Sequence, residues 1–471
     1  MAMPVGDLLP ELLLLGGSVL ILVYALFAPR RWQVAAAPLA LATVAASALA
    51  TLPMLGAPAR LTFAGTYAID GAAVWTRLVI LALVAGTVCL SVEWFRTDPR
   101  HGEYYALLLF SALGAVLLAG ASDLLEVVLA VLLSSAAGYV LAAYHRRSKA
   151  AGEAAIKYYL LGALTNAFLV YGVVLLFGLA GTTTYAGLRR GLAAADPWTA
   201  GAGLGLVVVG LAFKLGAVPA HAWVPDVAEG APAPAAAFLT VAAKAGALVA
   251  LARLVLLFPE GGPGWRPLVA VIAAATMTLG NLAALGQDDV RRLLGWSSVS
   301  QTGYGLMAVV GLGRSELAVP SLLFFLVAYM LANLAAFGVV VELRGLTRRA
   351  DYAGLARTRP ALFAALLLSF LSFVGIPPLA GFTAKLMLFG TALEAGYGWL
   401  ALLAVINTVA SLFYYARVLG PAFVGAPTAA PQPVLGPWAA LATLVCASAV
   451  LAAGVAAEPL LNAFHLARLL P

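Results

Sequence analysis

The chain has 471 residues, of which 63% are hydrophobic and 10% charged, with a formal net charge of +7 and a mean hydropathy of +1.01. A soluble domain carries about 25% charged residues, so this composition excludes a water-facing globule and, with it, the nucleic-acid reading that a positive charge invites in a soluble protein. Two cysteines, Cys89 and Cys446, each lie in an apolar run and form neither a metal spacing nor a disulfide framework.

Apolar runs long enough to cross about 30 Å of hydrocarbon recur from end to end. They are too long and too uniformly apolar for the alternating strands of a barrel. The chain is therefore expected to be an all-α integral membrane protein of about fourteen transmembrane helices, over 8–27, 33–52, 72–92, 104–120, 124–144, 155–179, 201–224, 233–258, 268–286, 291–312, 316–342, 361–390, 398–419 and 437–456. The first run carries Asp7 and Glu11 instead of a basic leader and shows no small-residue cleavage site, so it reads as a helix and not as a signal peptide. Arg30 and Arg31, Arg96 and Arg100, Arg146, Arg147 and Lys149, Arg291 and Arg292, and Arg344, Arg348, Arg349, Arg357 and Arg359 all fall on one side of such a bundle, with Arg189 and Arg190 the main exception. The positive-inside rule assigns the arginine-rich side to the cytoplasm and both termini to the outside.

Two helices are expected to be broken. One runs through Phe213-Lys214-Leu215-Gly216-Ala217-Val218-Pro219 and continues into His221-Ala222-Trp223-Val224-Pro225. The other holds Gly375-Ile376-Pro377-Pro378-Leu379-Ala380-Gly381-Phe382, followed by Lys385. Proline removes a ladder donor, and such a break survives in a membrane only where protein or water satisfies the freed backbone. A broken helix in each half marks transporter folds made of inverted repeats. The expected division is 1–103 for three N-terminal helices, 104–258 for a first five-helix repeat, 267–420 for a second and 421–471 for a last helix and tail.

Lys214, Lys244 and Lys385 are the lysines inside spanning segments. A charge at the bilayer centre costs roughly 2.5–3.5 kcal/mol on insertion scales, and such residues usually face the interior and mark an ion path. Desolvation disfavours the ammonium form, which lets a buried lysine take up and release protons where an arginine could not. The alternative is a lysine that snorkels from a helix end. Lys214 and Lys385 sit beside breaks, whereas Lys244 lies some ten residues into its helix. His221 follows Lys214 by seven residues, on one face if the helix is continuous, and imidazole titrates near neutral pH. Gly201, Gly203 and Gly205 follow no strand and read as sites of close helix packing.

These runs, from Phe213 through Pro219, His221, Trp223 and Pro225-Asp226-Val227 to Glu229-Gly230-Ala231-Pro232, with Ala237-Phe238-Leu239 and Lys244, resemble the antiporter-like subunits of respiratory complex I. Arg291-Arg292-Leu293-Leu294 with Ser297-Ser298 and Gly303-Tyr304 is similar in the same way. Within that group the Asp226 to Pro232 run, Asp351-x-x-Gly354-Leu355 and the Gly375 to Lys385 run look most like the subunit N family of proton-pumping NADH:quinone oxidoreductases. The related subunit M usually carries glutamate where Lys385 stands, and subunit L a long C-terminal lateral helix for which this chain ends too early. The resemblance covers roughly 104–420.

The resemblance implies a central lysine of the first half-channel at Lys214, a bridging role for Lys244 with His221 nearby, and the lysine of the outward half-channel at Lys385. Ser298, Gln301 and Glu126 are further candidates on the path. No cofactor or metal is expected on this chain; NADH, FMN, iron–sulfur clusters and quinone are implied elsewhere in the complex. The implied partners are other membrane-arm subunits, including a second antiporter-like subunit and small membrane subunits, and the lipid of a bacterial cytoplasmic membrane. Two positions depart from the pattern. Leu132 aligns where relatives place a glutamate on the fifth helix, paired with the central lysine, and Glu126 lies six residues before it. Gln301 stands where relatives usually have histidine, and an amide cannot titrate near neutral pH. Two other readings stay open on sequence: a subunit of a multi-subunit cation/proton antiporter, and a structural membrane-arm spacer with a decayed channel.

Overall fold

The computed structural model describes residues 4–98, 100–258, 264–426 and 436–471. Helices α1 (Leu9–Phe27) and α2 (Ala36–Thr51) form a peripheral hairpin, followed by a short antiparallel pair, β1 (Arg60–Thr62) and β2 (Tyr67–Ile69), and by α3 (Gly71–Val92). The next set comprises α4 (His101–Gly120), α5 (Leu124–Ala142), α6 (Lys149–Ala180), the surface helix α7 (Tyr185–Leu192), α8 (Pro197–Leu215), α9 (Trp223–Gly230), α10 (Ala233–Leu239) and α11 (Ala242–Val255). The following set comprises α12 (Trp265–Leu285), α13 (Val290–Gly311), α14 (Ala318–Glu342), the single turn α15 (Leu355–Thr358), α16 (Pro360–Val374), α17 (Ala380–Glu394) and α18 (Gly398–Val424). The chain ends in α19 (Pro437–Val455) and α20 (Glu458–His465).

Among the described residues, 12 helical segments are long and apolar enough to cross a membrane. Helix α13 and the half-helices α16 and α17 complete the expected crossings. Several boundaries shift by a few residues from the sequence reading, the two expected breaks are present, and three differences from the continuous spans are notable. Helix α6 begins at Lys149, not 155, because the Ser148 hydroxyl accepts from Ala151 N and caps it. The expected helix 201–224 ends at Leu215, where Gly216 at φ 67 closes it in a left-handed turn before a cis Val218–Pro219 bond. The second break repeats this frame, with Gly375 at φ 92 and a cis Pro377–Pro378 bond. A side chain would be strained at either glycine.

The third difference is a break that the sequence did not announce. The expected helix 233–258 divides at Thr240 and Val241 into α10 and α11, so Lys244 stands in the first turn of α11 and not ten residues into a helix.

The inversion of the two sets is visible in a backbone bracket that recurs on opposite faces. Leu124 N donates to Thr183 O and Tyr185 N to Ser122 O, each at 3.0 Å. Val290 N donates to Thr347 O at 2.7 Å and Arg349 N to Asp288 O at 2.9 Å. Asp123 caps α5 inside the first bracket, and Asp289 caps α13 inside the second. Helix α13 is buried along nearly its whole length, whereas α5 presents Leu125, Leu129, Leu132 and Val140 outward. Of the predicted glycine contacts, Gly203 meets α6, where its carbonyl lies 2.7 Å from the Cβ that Gly172 lacks, while Gly205 faces open space.

Both termini lie on the face opposite the arginine-rich loops. There Asp70, the cap of α3, pairs with Arg253 at 2.6 Å and accepts from Leu470 N at 2.7 Å. Arg253 also donates to Ala119 O and Leu470 O. The pair is fully buried and ties α3, α4, α11 and the tail together. Removing one partner of such a pair costs about 3–5 kcal/mol. Asp70→Ala is expected to lower the thermal stability of the detergent-solubilised protein by a large fraction of its total. Asp70→Leu combined with Arg253→Met, which leaves no unpaired charge, is expected to recover part of the loss.

Candidate functional site

All three intramembrane lysines are buried, Lys214 at 1%, Lys244 at 3% and Lys385 at 4% exposure. None faces outward, and each sits at a helix break. Lys214 occupies the last turn of α8. Its ammonium has no hydrogen-bond partner among the described residues and lies 5.7 Å from the Phe213 ring centroid. Lys244 donates to Ser298 O at 2.6 Å and to Ser298 Oγ at 2.7 Å, with the Tyr329 ring 4.8 Å away. Lys385 donates to Val374 O at 3.1 Å and to Thr408 Oγ1 at 3.3 Å, and lies 4.0 Å from the Tyr304 ring. Among the described residues, no lysine of the three is paired with a carboxylate.

One helix links the three. Thr302 Oγ1 on α13 reaches Leu215 O, next to Lys214, at 2.8 Å and Ser298 O at 3.1 Å. Ser298 receives Lys244 and also contacts Thr240 O at 3.3 Å. Gln301 donates to Phe373 O at 3.1 Å in the last turn of α16. A cavity of about 10 Å³, room for one water, is lined by Gln301, Tyr329, Ser372 and Lys385 among others. A row of hydroxyl, amide and ammonium groups thus runs from the first break to the last. Its members can accept and donate protons, apart from the amide, which only orients them.

At the arginine-rich end of α13, Arg292 bonds Asp226 and Glu229, each at 2.7 Å. Arg291 donates to Ala228 O at 2.9 Å and to Ala231 O. Lys157 joins Asp226 at 3.1 Å. The Asp226 to Pro232 run and the Arg291-Arg292 pair, far apart in sequence, are therefore two halves of one contact.

The transmembrane family described as NADH:quinone oxidoreductase/Mrp antiporter matches residues 121–411. A protein of Mycobacterium sp. (strain JLS) named NADH-quinone oxidoreductase subunit N is 43% identical over 454 residues, covering 95% of this chain and 96% of its own. The chain belongs to the subunit N family. A Streptomyces griseus protein named NADH-quinone oxidoreductase subunit N 1 is also 43% identical, covering 97% of each chain. A chain of respiratory complex I from Thermus thermophilus superposes with a TM-score of 0.85 at 32% identity, over 98% of this chain and all of that one. A chain of the Mrp complex from Dietzia sp. shares the fold, with a TM-score of 0.84 at 23% identity over 98% of this chain and 97% of its own.

Two expectations change in the structure, and a third residue stays where the sequence put it. His221 does not share a helical face with Lys214, because Gly216 and the cis bond intervene; it is half-buried, with its ring 5.7 Å from that of Trp296. Leu132 does not face the central lysine. It is 43% exposed, on the outer side of α5, while Lys214 lies on α8, which packs on α6 and α11. Glu126 stands in the first turn of α5, half-buried near the face that holds the termini, as its place in the sequence suggests. Sequence reasoning missed Thr302, Tyr329, Tyr304 and Thr408. For Thr302 the available signal was the unusual polarity of 297–302 within a spanning segment.

Leu132→Glu is therefore expected not to supply Lys214 with a partner. A carboxylate on this outward face costs up to about 3 kcal/mol on insertion, so less protein should reach the membrane. The pH profile of coupled proton translocation, measured per assembled complex, should match that of the original.

Proposed function

We propose that this chain is a proton-translocating membrane-arm subunit of a complex I-type NADH:quinone oxidoreductase, carrying protons through lysine-centred half-channels while electrons move elsewhere in the complex. The observation that carries this reading is the placement of three buried lysines, none with a counter-ion among the described residues, at three helix breaks joined by the polar side chains of α13. Lys214 serves the first half-channel, Lys244 bridges and Lys385 serves the outward half-channel. Ser298 and Thr302 supply hydroxyls between Lys214 and Lys244, and Gln301 orients the stretch toward Lys385. His221 and Glu126 lie toward the ends of the path, each with one polar atom buried and unbonded among the described residues.

The subunit itself carries no redox step; NADH, FMN, iron–sulfur clusters and quinone belong to other subunits. Its partners are further membrane-arm subunits, a second antiporter-like one among them. The bacterial relatives and the arginine-rich loops support a cytoplasmic membrane with both termini outside. The recurring bracket and breaks support repeats at 104–258 and 267–420. Similarity to subunit N over nearly the full length of both chains favours this reading over a cation/proton antiporter subunit.

The test separates charge from proton exchange at Lys385. Lys385→Ala and Lys385→Arg are both expected to assemble and to lose most proton pumping in reconstituted vesicles, because arginine keeps the charge but does not release its proton. Normal pumping by the arginine variant would remove Lys385 from the path.

A further inference from the structure

A cavity of about 1100 Å³ opens where α3 and α5 end, α4 and α6 begin and α14 ends. Its rim carries Arg100, Arg146, Arg147 and Arg344, and the acids at the same site are Asp98 and Glu103. His145 forms part of the wall, stacked on Trp94 with ring centroids 6.2 Å apart. Burial and the Arg344 guanidinium hold His145 below the usual imidazole value, so the positive charge there is that of the arginines.

These arginines differ from others in the chain. Arg77, Arg253 and Arg292 are each paired with a carboxylate. Arg100, Arg146, Arg147 and Arg344 make no ion pair among the described residues. Arg344 lies over the Trp94 ring at 4.6 Å, and the other three are exposed. Asp98 is turned to its own turn, where it accepts from Arg100 N at 2.9 Å. Below the rim the lining changes to Leu107, Val140, Ile156 and Tyr159, of which the last three lie on the outward faces of α5 and α6. The cavity therefore has a cationic mouth at a membrane surface and an apolar floor that runs onto the outward side of the bundle.

We propose that this cavity binds an anionic phospholipid, with the phosphodiester on Arg100, Arg146 and Arg147 and the acyl chains along Val140, Ile156 and Tyr159. Guanidinium forks match phosphate oxygens in pairs, and basic pockets between membrane helices are suited to such headgroups. A free phosphate would leave the apolar floor unused, and a zwitterionic lipid would gain less from the excess of arginine over acid.

The purified, assembled complex tests this with a phosphatidylglycerol bearing a diazirine on its acyl chain. After irradiation, mass spectrometry should find the label within 139–159. Excess phosphatidylglycerol should remove it severalfold, while phosphatidylcholine, phosphatidylethanolamine and inorganic phosphate at the same concentration should not. Arg146→Gln with Arg147→Gln should lower labelling severalfold in complexes that assemble normally; should they not assemble, the competition series on the unaltered complex decides alone. Equal displacement by a zwitterionic lipid would mean ordinary boundary lipid and would overturn the proposal. So would displacement by phosphate, labelling indifferent to the arginines, or a crosslinker at Tyr159 that captures a neighbouring subunit in place of lipid.

Discussion

The structure depends on how the backbone groups freed at its three helix breaks are satisfied. Hydrocarbon offers no hydrogen bond, so each free carbonyl must find a partner inside the protein. Helix α13 meets all three breaks within five residues. Thr302 takes Leu215 O, Ser298 meets Thr240 O, and Gln301 takes Phe373 O. Asn333 on α14 takes Ala237 O at 2.9 Å, a carbonyl released where α10 gives way to α11. This duty explains why α13 is too polar to count as a span by hydropathy and yet is buried on every side. Ser298, which meets the break at Thr240, also takes Lys244, and Gln301, which takes Phe373 O, lines the small cavity beside Lys385, so the proposed proton path shares groups with the structural repair of the breaks.

The buried cations divide into two kinds on the same physical ground. Arg77 is paired with Glu11, and Arg253 with Asp70, near the face that holds the termini. Each ion there is neutralised and held, as a permanent cation must be in a dry site. Among the described residues, the polar and ring partners of the lysines are carbonyls, hydroxyls and aromatic rings. Such partners accept the ammonium without fixing its charge, and a lysine can shed its proton where an arginine cannot. Pairing builds the scaffold, and the lack of it is what the proposed path requires of groups that change protonation state.

Much of this was legible in the sequence. Run length gave the crossings, and Gly-x-x-Pro steps at 216–219 and 375–378 located two breaks because proline and positive-φ glycine act on the local backbone. The break at Thr240 and Val241 carries neither residue; it depends on Ser298 and Asn333, supplied by distant helices. The face on which Leu132 lies was also beyond local reading. In a chain where lipid and interior are both apolar, periodicity does not tell one from the other. Gln301 read as a lost titratable group, and only its bond to Phe373 O shows what an amide does there.

The recurring bracket turns the Leu132 departure into a geometric statement. Counted from Leu124 and Val290, which make the same bond in the two repeats, Leu132 and Ser298 are both eight residues on. The two positions are equivalent by backbone and opposite in surroundings. Ser298 is enclosed because the first repeat packs against α13 and delivers Lys244 to it. Among the described residues, none covers Leu132 on the outer side of α5, and it is open. An acid at that position would meet whatever covers α5 in the assembled complex and not the interior row of lysines. The leucine therefore alters the contact that this chain offers to its neighbour, and it leaves intact the internal row from Lys214 to Lys385.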